Sequence, residues 1–192
     1  MWIKHRRWRN LSDEELMRLV RRHDSEKAFD ELYRRYARRI HGFFFRMLGR
    51  DEHLAADFTQ DIFLRLWVAK ERYTDGRNVR SWLFAMAYNL CRNEYRSRGY
   101  QADYIGQLDR EEDIYEEPVA LRIDAEVFDR ELSRLLDTLQ PAQRLLFALR
   151  YEEELSVAQV AEIMNLPEGT VKSRLYYMLQ NLRNKLKVYE KL

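Results

Sequence analysis

Cysteine, proline and glycine are scarce in this chain, and long apolar runs are missing. Of 192 residues, one is cysteine, three are proline and six are glycine. The lone Cys91 excludes an internal disulfide and fits a reducing, cytoplasmic setting. So few breakers, with no stretch that alternates convincingly between apolar and polar residues, point to an all-α fold. No apolar run approaches the roughly 20 residues that a membrane span needs. The N-terminal MWIKHRRWRN is basic and aromatic but lacks the apolar core of a signal peptide. It reads either as a solvated, frayed terminus or as a nucleic-acid contact. His5, His23, His41 and His53 are scattered without metal-ligand spacing, so no zinc site and no cofactor are expected.

What is present is a well-solvated globular chain, 46% hydrophobic and 34% charged, long enough for one or two domains with their own cores. The net charge of +2 conceals an asymmetry. Residues 1–96 carry 21 basic and 14 acidic side chains, whereas residues 97–126 carry 3 and 9. Residues 127–192 are nearly balanced, with 10 and 9, but Glu168 to Lys187 alone is +4. Two cationic helical blocks are thus joined by an acidic segment that should stay off DNA while the blocks bind it.

Ser12-Asp13-Glu14-Glu15 is a capping box that opens a short helix through about Arg22. A longer helix runs from Ser25 to about Leu48, with Phe29, Leu32, Tyr33, Tyr36, Ile40, Phe43, Phe44 and Met47 at helical spacing and Gly49 at its C-terminal end. Arg34, Arg35, Arg38 and Arg39 cluster on it, as a solvated face or as phosphate contacts. Asp57 to Lys70 is predicted as a helix with Phe58, Ile62, Leu66 and Ala69 inward. Phe63, Leu64, Trp67 and Val68 spread hydrophobicity around it, the mark of deep burial or of an interface. Asp57, Gln60, Asp61 and Leu64 form a mixed acidic and apolar stripe suited to a partner's basic surface. Asp57 and Asp61 also suit a metal, but no third ligand stands at sensible spacing.

After a polar loop around Asp75-Gly76, a helix is predicted from Val79 to about Arg96, with Val79, Trp82, Leu83, Met86 and Leu90 inward. Phe84, Tyr88, Tyr95 and Arg92 fall on its outer face. Two readings are open: the rings stack unpaired bases, or they pack on a neighbouring helix. Gly99 to about Asp124, with Pro118 and the run Asp109 to Glu117, is too polar to supply a core. Val127 to Leu139 is predicted as a helix with Leu132, Leu135, Leu136 and Leu139 inward. Pro141 then starts another, running to about Tyr151.

Leu155 to Leu186 reads as two helices around a short turn, the layout of a helix-turn-helix that sets its second helix in a major groove. Ser156 and Gln159 form a capping box, and Val157, Val160, Ala161 and Met164 share one side of the first helix. Asn165-Leu166-Pro167 breaks it. The second helix carries Val171, Leu175, Met178, Leu179, Leu182 and Leu186 on one stripe. At about 100° per residue, Thr170, Ser173 and Tyr177 point the opposite way, flanked by Lys172, Arg174 and Tyr176. Hydroxyls and cations there suit phosphates and base edges. An ordinary amphipathic hairpin with a solvated polar face is the alternative.

A basic helical domain, an acidic linker and a terminal helix-turn-helix, in that order, resemble the bacterial extracytoplasmic-function (ECF) sigma factors, which keep only regions 2 and 4. Four stretches carry the resemblance: AFDELYRRYARRIHGFFFRMLG, DFTQDIFLRLW, VRSWLFAMAYNL and LRYEEELSVAQVAEIMNLPEGTVKSRL. The last also occurs in other regulators; all four in this order are specific. The resemblance implies region 2 over residues 1–98, a linker over 99–126 and region 4 over 127–192, with no fused regulatory domain. It places Asp57, Gln60, Asp61, Leu64 and Trp67 against the clamp helices of the polymerase β′ subunit. Tyr73 and Asn89, with Tyr88 and Arg92 beside them, would meet a base flipped from the −10 strand. Thr170, Lys172, Ser173, Arg174, Tyr176 and Tyr177 would face the −35 element, and apolar residues near Leu146 and Phe147 the β flap. A cognate anti-sigma factor, often membrane-linked, is implied as well.

The chain departs from the family pattern at three places. Basic residues are usual near Ala85 and Tyr88, an arginine is common where Tyr177 stands, and Glu154 replaces a usual glycine, so that turn is expected to differ. The resemblance implies a promoter-specificity subunit with no catalytic chemistry or small-molecule substrate, whose two DNA contacts reinforce each other on core polymerase. The acidic linker is expected to thread toward the RNA exit path. A stand-alone helix-turn-helix regulator would bind a palindromic operator as a dimer without polymerase. An enzyme acting on nucleic acid would need clustered metal ligands or a nucleophile–base pair, and the sequence shows neither.

Overall fold

The computed structural model describes residues 8–99 and 125–186. All regular structure among the described residues is helical, and the chain divides between Ser97 and Arg98 into two compact units. The expected acidic linker falls almost wholly outside the described residues, as does the N-terminus through Arg7.

Four long helices lie among the described residues of the first unit. α1 (Asp13–His23) opens on the expected capping box, Ser12 and Glu15 each accepting the other's backbone N–H, and closes with Asp24 in the left-handed region. α2 (Glu26–Met47) is capped by Ser25. It ends in a Schellman turn, with Gly49 at φ +75° and the Arg50 amide bonded to the Phe45 carbonyl at 2.8 Å. α3 (Glu52–Val68) begins five residues before the expected Asp57, because the Asp51 carboxylate accepts the Leu54 amide at 3.0 Å and caps the helix there. A 3₁₀ turn (Lys70–Arg72) and a loop lead to α4 (Val79–Ser97), which Asn78 caps through the Ser81 amide at 2.8 Å.

α2 is the central element, packed against α1, α3 and α4. Leu32, Tyr36, Ile40, Phe43, Phe44 and Met47 are buried along it. Phe43 meets Phe84 of α4 edge-on at 5.5 Å, and Phe44 meets Phe58 of α3 at 5.3 Å. Phe43, Phe44 and Phe84, which are completely buried, stabilise the unit by about 2–3 kcal/mol each, with a further contribution from their edge-to-face geometry. The Tyr95 hydroxyl donates to the Met47 carbonyl at 2.6 Å, satisfying an acceptor at the end of α2.

The structure corrects the expected orientation of α4. Phe84 and Tyr88, placed outward by periodicity, are 0% and 2% exposed, while Met86 and Leu90, placed inward, are only half-buried. Packing against three neighbours widens the buried arc toward Phe84, Ala87, Tyr88 and Cys91. Of the two open readings of these rings, packing on neighbouring helices holds for Phe84 and Tyr88.

α1 is fixed to α2 by charge. Arg35 bonds Asp13 at 2.7 Å and Glu31 at 2.9 Å, and reaches the Trp8 and Arg9 carbonyls at 3.2 and 3.1 Å. Tyr36 donates to the other Asp13 oxygen. Arg34 binds Glu31 through two bonds, of 2.6 and 2.8 Å. Two arginines of the α2 cluster are therefore structural. The Arg34 hydrogen bonds, joined by those of Arg35, outweigh burial and hold the Glu31 carboxyl at about 2, below its usual 4.5.

In the second unit, α5 (Ala125–Asp137) and α6 (Pro141–Phe147) are followed by a π-helical turn (Ala148–Glu152), α7 (Val157–Met164) and α8 (Glu168–Leu186). Pro141 stands at the first position of α6, where its missing N–H costs nothing. α8 packs on α5, α6 and α7 and buries Val171, Leu175, Met178, Leu182 and Leu186. Two expectations are corrected. Leu179 is 39% exposed, at the edge of that stripe, and Leu132, Leu135, Leu136 and Leu139 are half-buried, not fully inward.

Because the folded Glu31 carboxyl is more acidic than the unfolded one, its contribution is complete above pH 4.5 and is lost as pH falls toward 2. Discounted for the half-exposed Arg34, it is on the order of 2 kcal/mol. Thermal melts should therefore show Glu31→Gln well below wild type at pH 6, with the gap narrowing steadily below pH 5; a gap independent of pH would contradict this account.

Candidate functional site

Three surfaces of the described residues present the side chains singled out by sequence. The first is the outer face of α3. Asp57 and Gln60 are exposed, and Asp61, 2.8 Å from Arg65, is half-exposed. Leu64 is 62% and Val68 74% exposed. Leaving these two in water forgoes about 1.5–3 kcal/mol each that burial would supply. The opposite face of α3 is filled by Ala55, Thr59, Ile62, Phe63 and Leu66. Trp67 sits between the two faces, edge-on to Phe29 at 5.3 Å, with the Lys70 ammonium 4.1 Å above its ring. Among the described residues no three His, Cys, Asp or Glu side chains group as metal ligands.

Beside Leu64 and Val68 a groove of about 590 Å³ runs between α3 and α4. Its apolar lining includes Leu64, Val68, Met86 and Leu90, and its polar lining includes Asp61, Arg65, Arg72 and Asn89. The structure thus brings Asn89 together with Asp61 and Leu64. Sequence reasoning missed this groove because it had turned Met86 and Leu90 into the core.

The second surface is the loop before α4. Tyr73 is 1% exposed, its ring 5.4 Å from Trp82 and its hydroxyl donating to the Arg77 carbonyl. Burial pushes its phenol up to about 12. Tyr88 is buried too, with the Arg92 guanidinium 5.9 Å from its ring centroid. Neither ring offers a face to a base in this conformation. Asn89 is exposed, its amide donating to the Ala85 carbonyl at 2.9 Å.

The third surface is the early part of α8. Ser156 and Gln159 reproduce the expected box at the start of α7, and Asn165 ends that helix at φ +54°. On α8, Lys172 is exposed, and Thr170, Ser173, Arg174 and Tyr177 are half-buried. Tyr176 is exposed and meets Tyr177 edge-on at 5.4 Å. The Ser173 hydroxyl donates back to the Thr170 carbonyl at 3.1 Å, so toward a ligand it acts as an acceptor. Leu146, expected near a partner surface, is 2% exposed and belongs to the core. Its neighbour Phe147 is half-buried and 5.2 Å from the exposed Tyr151 ring.

Two family profiles match the chain: Sigma-70 region 2 over residues 32–100 and Sigma-70 region 4 over residues 129–180. The ECF RNA polymerase sigma factor SigW of Bacillus subtilis is 32% identical over 175 residues, 84% of this chain and 90% of that protein. This chain belongs to the ECF RNA polymerase sigma factors. The sigma factor also shares its fold with two solved structures. CnrH, in complex with the cytosolic domain of CnrY, matches at TM-score 0.66 and 21% identity over 92% of this chain and 97% of that one. RpoE of Bartonella quintana, in complex with the anti-sigma factor NepR, matches at 0.63 and 22% over 84% and 98%. As a sigma factor it is a transcription-initiation protein that works with core RNA polymerase and promoter DNA, not a stand-alone regulator. No described helix is long and apolar enough to cross a membrane.

The turn into the helix-turn-helix holds a strained residue. Glu154 adopts φ +54°, the left-handed region that glycine occupies freely, so the turn keeps a glycine-like backbone despite the glutamate. Glu154→Gly removes about 1–2 kcal/mol of strain and loses part of that to a more flexible unfolded chain. Melting should rise by the equivalent of about 0.5–1 kcal/mol; a lower melting temperature would show that the glutamate side chain contributes more than its backbone costs.

Proposed function

We propose that the exposed face of α3 is the seat of core polymerase, that α8 reads the −35 duplex, and that the loop before α4, with Asn89 and Arg92, meets the −10 strand. The observation that carries this reading is the exposure of Leu64 and Val68 beside the acidic Asp57 and Asp61, within a chain that matches both sigma regions. An apolar patch rimmed by carboxylates suits a partner helix that presents apolar and basic side chains, and the β′ clamp helices are assigned that place by family resemblance. Trp67, half-buried, would extend the patch. Phe147 and Tyr151 are the rings available to the β flap.

On α8, Lys172 and Arg174 would neutralise phosphates, while Thr170, Ser173, Tyr176 and Tyr177 lie where base edges or sugars would come. Tyr73 and Tyr88 would support the −10 contacts from beneath. Core polymerase and promoter both lie in the cytoplasm, so the protein would work there. CnrH and RpoE were each solved bound to another protein, an anti-sigma factor in the second case. A protein antagonist of this kind is proposed here on family grounds.

Run-off transcription with bacterial core polymerase on a randomised promoter library tests the whole reading, which requires transcripts that depend on this protein and share two promoter elements. Leu64→Glu should weaken the complex with core at least tenfold on gel filtration or by fluorescence titration, with the helical circular-dichroism spectrum unchanged; a complex of wild-type strength would remove α3 from the interface. Replacing Lys172 and Arg174 together by alanine should weaken −35 binding across all sequences and reduce the salt slope by about 2. An unchanged slope would mean that neither touches phosphate.

A further inference from the structure

The loop between the 3₁₀ turn and α4 is held from its own two ends and from α1. Within the loop, the Arg77 amide donates to the Thr74 carbonyl at 3.0 Å, with Gly76 at φ +88°. That is a type II turn, whose third position favours glycine. Tyr73 is its root: the ring is buried against Trp82, and the hydroxyl reaches across to the Arg77 carbonyl. The residues from Thr74 to Asn78 are all exposed, so the loop presents its tip and hides its base.

Five bonds reach the loop and its flanks from α1 or its end, more than forty residues away in sequence. Arg21 donates to the Tyr73 carbonyl at 2.5 Å and to the Asp75 carboxylate at 3.1 Å. Arg22 donates to the same carboxylate at 2.7 Å. Lys70 donates to Asp24, and Glu14 accepts the first amide of α4, that of Val79, at 3.3 Å. Arg21 is the central tie, since its one guanidinium holds the root and the tip of the loop together. Its side chain is only 21% exposed, and that of Asp75 34%.

We propose that α1 is a clasp for the −10 reading loop, with Arg21 and Arg22 acting as positioning residues that, through Asp75 and the Tyr73 carbonyl, set which bases the loop accepts without contacting them. This rests on the proposed assignment of the loop to the −10 strand. A guanidinium bonded to a main-chain carbonyl and a side-chain carboxylate fixes two points of the loop at once, so the tip meets a base already shaped. An arginine that merely attracted phosphates would need neither bond.

The charges of Arg21 and Asp75 are opposite, which separates positioning from simple electrostatics. The experiment uses full-length protein in holoenzyme with core polymerase, and single-stranded non-template oligonucleotides carrying the −10 element selected by the wild type, with each base varied in turn. Arg21→Gln and Asp75→Asn should shift affinity for a scrambled strand in opposite directions, weaker and tighter respectively. Both should lower discrimination between the best and worst base at least fivefold, at the same position. Arg21→Lys, which keeps the charge but not the two-point bond, should lose discrimination with little change on the scrambled strand. Core binding, −35 duplex binding and melting temperature report any general loss of fold, which would lower all of these together. Variants that discriminate as well as a discriminating wild type would overturn the clasp and leave the loop assignment standing. A wild-type holoenzyme that reads no −10 base would overturn the loop assignment, and the clasp with it.

Discussion

The position of α1 depends on one partly buried knot of charge, Asp13 and Glu31 against Arg35, with Tyr36 closing it. Leu16, Met17 and Val20 bury the apolar stripe of α1, but apolar burial has no direction and would accept a helix rotated or slid by part of a turn. Charge-assisted bonds of fixed geometry do not. Arg35 adds the carbonyls of Trp8 and Arg9, so the chain entering α1 is tied down as well as the helix. Asp13 and Arg21 are eight residues apart on one rigid rod, about 12 Å at helical rise. What is fixed at the first turn is thereby fixed at the last, where Arg21 and Arg22 hold the loop ahead of α4.

The second unit is organised differently. α6 and α7 have seven and eight residues, too short to be stable alone in water. Their stability is tertiary, from Leu145, Leu146, Leu149, Val160, Ala161 and Met164 packed with the buried stripe of α8. The backbone accommodates this by unusual means: a π-helical turn after α6, and left-handed residues at Glu154 and Asn165. The π-helical turn and Glu154 redirect the chain between α6 and α7, and Asn165 redirects it between α7 and α8. Asparagine tolerates that conformation through its short polar side chain, whereas glutamate does so only because its neighbours determine it.

Most of the helices were legible in the sequence because their ends carry chemistry. Ser12, Ser25, Ser156 and Pro141 each mark a start that the structure keeps. The start of α3 was misplaced because the apolar pattern begins later than the cap at Asp51. The wrong face of α4 has a different cause. Periodicity finds the buried side of a helix with one dominant neighbour, but α4 packs on three, and its buried arc includes both Trp82 and Tyr88. The same limit hid the groove, since Met86 and Leu90 read as core when they line it. The bonds from Arg21 and Arg22 to Asp75 were out of reach altogether, because partners more than fifty residues apart leave no local pattern.

Exposed and buried aromatic and apolar groups are divided here in a way that bears on how a subunit of this family combines affinity with selectivity. Leu64 and Val68 are left in water, so their burial remains available to a partner and adds affinity without regard to sequence. Tyr73 and Tyr88 are instead spent inside the unit, where they stiffen the ground on which the loop and the exposed part of α4 stand. Ordering a loop residue at the moment of binding costs about 1–2 kcal/mol. A six-residue loop disordered beforehand would therefore cancel most of what a few base contacts supply. A loop already closed by Tyr73 and Arg21 avoids that cost, and it gains selectivity for the same reason, because a rigid loop cannot reshape itself around the wrong base. On the proposed reading, the polymerase-facing side of this unit is built to bind and the DNA-facing side to discriminate, and α1 is the element that keeps the second in shape.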